Sequence, residues 1–202
     1  GGDTVCTEGP MVWTVTIIGD VPKGTAIMRS GAQVGDIVGI TNYVGYAATG
    51  LGALSYNLDG YHMTKVGHQR PDPQIELGQQ LRQLGIHSMN DISDGLGSEL
   101  NEIASASNVS IVIEEKAIPL HEETYELAKY LQTNPVDYAL YGGEDFQLVF
   151  TAPKSLLSKL ENLAGITIIG EVVSGPAQVQ MVTPDKTIKT IEAKGYNHFH
   201  ES

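Results

Sequence analysis

The chain has 202 residues, 41% of them apolar and 18% charged, enough for one generous domain or a domain with part of another. Its 24 acidic side chains against 12 basic ones give a formal charge of −12 with the cations scattered singly, which argues against a nucleic-acid partner. No apolar run reaches membrane-spanning length, no leader pattern opens the chain, and the single Cys6 excludes an internal disulfide; a soluble cytoplasmic protein is expected.

Taken in chain order, residues 11–18 alternate and are rich in Val, Ile, Thr and Trp, which predicts a strand. Residues 19–25, with Pro22, punctuate it and mark the expected boundary between a domain ending at 1–21 and a domain formed by 22–202. A turn over 30–35 leads into a short apolar strand at 36–41, and 47–58 has helical spacing with Leu51 and Leu54. Residues 73–84 place Ile75, Leu77, Leu81 and Leu84 in a helix stopped by Gly85. Leu96, Leu100, Ile103 and Ala104 then form one apolar helical face, followed by a buried-type strand at 109–113. A helix is expected over 122–131, ended by Pro135. Residues 139–141 and 147–151 read as strand on either side of a Gly-Gly-Glu-Asp turn. A helix at 154–164, a strand at 166–173 and a hairpin over 179–191 turning at Pro184-Asp185 complete a mixed α/β chain.

Two short segments carry most of the chemical signal. In Asp91-Ile92-Ser93-Asp94-Gly95-Leu96 two carboxylates flank a hydroxyl where a helix begins. Asp91 and Asp94 can converge on one cation while Ser93 faces an oxyanion; the commoner use of this pattern is a helix N-cap by Ser93 or Asp94, with Glu99 completing it. Tyr141-Gly142-Gly143-Glu144-Asp145-Phe146 fits close backbone approach with acids facing a cationic or hydroxylated substrate, and equally a solvated turn. Gly1-Gly2-Asp3-Thr4 repeats the pattern of glycines, carboxylate and hydroxyl. Arg29 sits in a turn where its guanidinium can fork onto phosphate or simply stand in solvent. Tyr196 and Phe199 need something to pack on, a ligand or the body of the domain. The common nucleotide-binding loops are absent, so any ATP would be held by another architecture.

Together these segments resemble the thiamine-monophosphate kinase family. The match runs through Gly1-Gly2-Asp3-Thr4, Val21-Pro22-Lys23-Gly24, Arg29-Ser30-Gly31-Ala32, Arg70-Pro71-Asp72-Pro73, Asp91-Ile92-Ser93-Asp94-Gly95-Leu96, Tyr141-Gly142-Gly143-Glu144-Asp145-Phe146 and Gly195-Tyr196-Asn197-His198-Phe199, in that order. The resemblance implies an aminoimidazole ribonucleotide synthetase-like C-terminal domain over 22–202, with 1–21 as the end of an N-terminal ATP-binding lobe. It implies phosphorylation of thiamine monophosphate by ATP with Mg2+, in a homodimer. Asp3, Asp91 and Asp94 are implied as magnesium ligands, Gly2, Arg29 and Ser93 as lying near ATP, and Glu144 and Tyr196 as touching thiamine monophosphate. Asp91, Asp94 and Arg29 would carry the transfer. The 202 residues alone are expected to have little or no kinase activity, the alternatives being another ATP-using member of the superfamily or a non-catalytic binding or dimerisation piece. One loop departs from the family pattern: Tyr46-Ala47 stand where it usually carries Asp-Ser.

Overall fold

The computed structural model describes residues 9, 11 and 13–194. Its strands are β1 (Asp36–Thr41), β2 (Ser88–Ile92), β3 (Ser110–Glu114), β4 (Gln147–Pro153), β5 (Ile166–Val173), β6 (Gln178–Val182) and β7 (Ile188–Ile191). Its α-helices are α1 (Tyr46–Ser55), α2 (His62–Gln69), α3 (Ile75–Leu84), α4 (Leu96–Ser107), α5 (Glu122–Leu131), α6 (Pro135–Tyr141) and α7 (Leu157–Glu161). The strands form one sheet in the order β2-β4-β1-β5-β3-β6-β7. Every pairing is antiparallel except β3 with β6.

Period-two alternation sends successive side chains of the central strands to opposite faces, and each face is buried. Val38 and Ile40 of β1 join Leu96, Leu100 and Ile103 of α4 and Val136, Ala139 and Leu140 of α6 in the larger core. Ile37 joins Leu81 of α3, Phe150 of β4 and Leu160 of α7 in the smaller one. The fold is thus mixed α/β, as expected, with the apolar stripe of α4 buried as its spacing requires.

Four local readings are corrected. Residues 13–18 form no strand and their large apolar side chains are exposed, because none of the described strands lies alongside to complete the ladder. Residues 139–141 are the last turn of α6 rather than a strand. Pro135 begins that helix at its first position, where a missing N–H costs nothing, and Asn134 caps it by accepting the Val136 N–H at 3.2 Å. Residues 154–164 are helical only in part, a 3-10 turn over Lys154–Leu156 leading into the five-residue α7. The spacing also misses α2 and β2, whose sequences HMTKVGHQ and SMNDI are mostly polar. Tertiary contacts hold both: Glu123 of α5 accepts the Thr64 N–H at 2.8 Å at the start of α2, and β2 pairs along its length with β4.

Candidate functional site

The two chemical segments meet in space although some fifty residues separate them. After β2 the chain turns through Ser93 and Asp94 into α4; after α6 it turns through Gly142 to Asp145 into β4. Where they cross, the Glu144 N–H donates to the Ser93 carbonyl at 2.8 Å and the Phe146 N–H to the Ile92 carbonyl at 2.9 Å. The approach is close enough that a Cβ on Gly143 would stand 2.5 Å from the Ser93 oxygen. Gly95 has φ +96, and a Cβ there would meet the Leu140 carbonyl at 2.7 Å. Glu144 and Phe146 themselves take positive φ, at 70° and 50°, so the crossing imposes left-handed backbone on two residues that ordinarily avoid it.

A cleft of about 610 Å³ opens beside the crossing, lined by Ser93, Asp94, Tyr141, Gly143 and Glu144, with Ala47, Ala48 and Leu51 of α1 and His68 of α2 as its other wall. Asp91 lies elsewhere. It borders a smaller recess of about 330 Å³ with Pro73, Ile75, Met89, Phe146 and Leu148. Asp91 and Asp94 thus line neighbouring but different hollows. Among the described residues no group of three His, Cys, Asp or Glu side chains is placed to hold a metal ion. The donor chemistry still suits a hard cation, because Asp91 and Asp94 are exposed carboxylates beside two further acids, Glu99 and Glu102.

Glu99 was legible only as part of a helix start, and the structure makes it more than that. Neither Ser93 nor Asp94 caps α4; the capping position is Gly95, with no side-chain bond. Glu99 is 2% exposed and reaches back, its Oε1 accepting from the Asp94 N–H at 3.3 Å and the Ser93 hydroxyl at 3.4 Å. Its Oε2 accepts from the side-chain amide of Asn90. Burial pushes the Glu99 carboxyl up to about 7; the Asp94 N–H pulls it back, and the charges of Glu102, Asp91 and Asp94 add to the rise. The signal that could have found it is its place at i+3 from Leu96, on the stripe that faces the core.

Arg29 is exposed, yet its guanidinium has partners. Its Nε donates to Asn90 Oδ1 at 3.0 Å and its guanidinium pairs with Glu102 at 3.0 Å, tying it to the same network as Ser93 and Asp94. The adjacent acids of the Gly-Gly-Glu-Asp turn have separate fates. Glu144 is exposed in the cleft, whereas Asp145 is 4% exposed and accepts from the backbone N–H of Gly45 at 2.6 Å and of Ala47 at 2.9 Å. Asp145 thus anchors the start of α1, and with it the far wall of the cleft. Burial pushes its carboxyl up to about 6, against the pull of the Ala47, Gly45 and Tyr46 N–H groups. In the divergent Tyr46-Ala47 pair, Ala47 lines the cleft and Tyr46 packs its ring with Tyr43 and His121, at centroid distances of 6.1 and 5.3 Å. Gly2, Asp3 and Tyr196 lie outside the described residues.

The chain belongs to the family described as AIR synthase related protein, C-terminal domain, whose model matches residues 33–182. Within that class its similar relatives are thiamine-monophosphate kinases. It is 38% identical to the one from Bacillus subtilis over 98% of this chain and 63% of that protein, and 36% identical to the one from Haemophilus influenzae over 100% and 63%. Among solved structures, AaThiL complexed with AMPPCP and TMP is 33% identical with a TM-score of 0.74, covering 86% of this chain and 54% of that one. The thiamine-monophosphate kinase of Stenotrophomonas maltophilia K279a also gives a TM-score of 0.74 at 30% identity, over 80% and 54%. Hydrogenase maturation protein HypE, 20% identical with a TM-score of 0.69, shares the fold. The chain spans about 63% of the length of the curated relatives named here.

Proposed function

We propose that this chain forms the C-terminal part of a thiamine-monophosphate kinase, which transfers the γ-phosphoryl group of ATP to the phosphate of thiamine monophosphate. The observation that carries the reading is the crossing of the Ser93-Asp94 and Gly143-Glu144 segments, which sets a hydroxyl, two carboxylates and a half-apolar wall around one cleft. The relatives that match nearly the whole chain bear this activity in their names, and one solved relative held AMPPCP together with TMP.

In this reading a phosphate oxygen of thiamine monophosphate forms a bond to the γ-phosphorus as the bond to the β-phosphate oxygen breaks, leaving ADP and thiamine diphosphate. A phosphate monoester is itself a competent nucleophile at neutral pH, so positioning and charge stabilisation are what the protein must supply. Glu144 gives the cationic thiazolium a carboxylate inside the cleft, with Tyr196 as its aromatic partner. Arg29 and Ser93, with Gly2, bind the nucleotide phosphates. Asp91, Asp94 and Asp3 would hold Mg2+, which when bound neutralises the phosphate charges that otherwise repel each other. Asp3 would complete a set that the described residues leave short of three. Residues 1–21 would close an N-terminal ATP-binding lobe, 22–202 being the synthetase-like domain of a cytoplasmic homodimer.

The test is incubation of the full-length gene product containing this chain with γ-labelled ATP, magnesium and thiamine monophosphate. Labelled thiamine diphosphate is expected, and Asp94→Asn should abolish it. Label reaching another acceptor, with thiamine monophosphate not competing, would assign the site to a different ATP-using member of the superfamily.

A further inference from the structure

We infer that Glu99 is a positioning residue of this site, a single buried carboxylate that holds Ser93 and Asp94 through one oxygen and Arg29, by way of Asn90, through the other. What Ser93, Asp94 and Arg29 do rests on the phosphoryl-transfer reading; how they are held does not.

The polarity of each contact is fixed in turn. A guanidinium only donates, so the Arg29 Nε–H at 3.0 Å requires Asn90 to present its Oδ1. The Asn90 amide nitrogen must then face the other way, where its two hydrogens meet Glu99 Oε2 and Glu102 Oε2, the latter at 3.1 Å. With Oε2 so engaged, Glu99 Oε1 is left for the Asp94 N–H and the Ser93 hydroxyl. The Ser93 hydroxyl can turn to suit a new neighbour, but the Asp94 N–H cannot. Position 99 therefore needs an acceptor on both sides, which a carboxylate supplies and a carboxamide does not. A buried acid with three others nearby thus supplies a geometry that a carboxamide does not.

Glu99→Gln keeps the shape and breaks the pattern. Its NH2 group faces either the Asn90 amide or the Asp94 N–H, donor against donor. If Asn90 flips to relieve the first clash, its own NH2 is turned onto Arg29 Nε. The mismatch must fall on Arg29 or on the Ser93-Asp94 turn.

Two readouts decide the matter. In this 202-residue chain the Arg29 Nε–H signal, assigned by its loss in Arg29→Lys, is followed by 15N NMR and solvent exchange. It should be protected in the parent and exchange more rapidly in Glu99→Gln, with the amide signals of the sheet left in place. In the full-length gene product, Glu99→Gln should raise KM for ATP about tenfold, the scale of one lost charge-assisted hydrogen bond, and leave KM for thiamine monophosphate near its parent value. An unchanged Arg29 signal with an unchanged KM for ATP overturns the inference, as does a rise in KM for thiamine monophosphate as large as that for ATP. If the parent enzyme transfers nothing to thiamine monophosphate, the kinase reading fails while the NMR series still decides how Arg29 is held.

Discussion

Two neighbouring acids, Glu144 and Asp145, show how much and how little a motif tells. Both were legible as candidate ligand-facing groups, but only burial separates them: Glu144 stands in the cleft and Asp145 under the first turn of α1. Replacing Glu144 with Gln removes the charge that a thiazolium would face. On the proposed reading, KM for thiamine monophosphate in the full-length gene product should rise about tenfold, in keeping with a lost cation contact, with KM for ATP little changed. Steady-state kinetics with each substrate varied in turn checks this, and an unmoved KM for thiamine monophosphate takes Glu144 out of the substrate site. Asp145 has a different signature. Its carboxyl is raised to about 6 in the folded chain, against an unfolded value of about 3.9. Between roughly pH 4 and 6 the folded state thus holds a proton that the unfolded state releases, so this group's contribution to stability falls as pH rises across that window and levels off above it. Asp145→Asn removes the contribution, so its Tm should fall less than the parent's between those pH values. Equal slopes in thermal melts of the two proteins would contradict it. The holding role of Glu99 and the anchoring role of Asp145 were illegible for the same physical reason, since each depends on partners brought in by the tertiary fold.

Elements whose own sequence carries the burial pattern were legible: the stripe of α4, the full extents of α5 and β5, and β1 between two cores. Those whose support comes from elsewhere were not. β2 has the weak strand formers Asn-Asp near its centre, yet it forms because every residue pairs with β4. The short α6 read as a strand because Ala139 to Tyr141 are apolar in a row, while its helical start lies in Asn134-Pro135. The crossing between the turn after β2 and the turn before β4 is the element-level feature on which the site depends, and Gly143 is its tightest point. Gly143→Ala meets no backbone-angle penalty but places a methyl 2.5 Å from the Ser93 carbonyl oxygen, so the two turns must part. The expected cost is about 1–3 kcal/mol, as for other overpacked contacts, read as a lower urea midpoint with unchanged slope. A larger loss of phosphoryl transfer than of stability should accompany it, since Glu144 moves away from Ser93. A variant as stable and as active as the parent would show that the crossing has slack.

At the scale of the whole molecule, the strand pattern at residues 11–18 is the sequence signal that this chain leaves unused. Trp13, Val15, Ile17 and Ile18 are between 79% and 91% exposed, and none of the described strands pairs with the segment. Period-two alternation of this strength specifies a half-buried strand, and a strand needs a neighbour about 5 Å away to satisfy its backbone. The partner must come from outside the described residues, which leaves a second copy of the chain or another part of the protein that contains it. For the chain by itself the first is open, and self-association is expected to rise with concentration despite the net charge of −12, more strongly at high salt where that repulsion is screened. Trp13 is the single tryptophan, so its emission reports on this segment alone. It should shift to shorter wavelength in step with the mass measured by sedimentation equilibrium. Ile17→Asp should abolish both changes while leaving thermal unfolding of the core unaltered, because Ile17 touches neither core cluster. Sedimentation as a monomer at every concentration, with Trp13 emission fixed at the exposed value, would show that a second copy does not supply the missing neighbour. The pattern would then belong to an interface within a single longer chain.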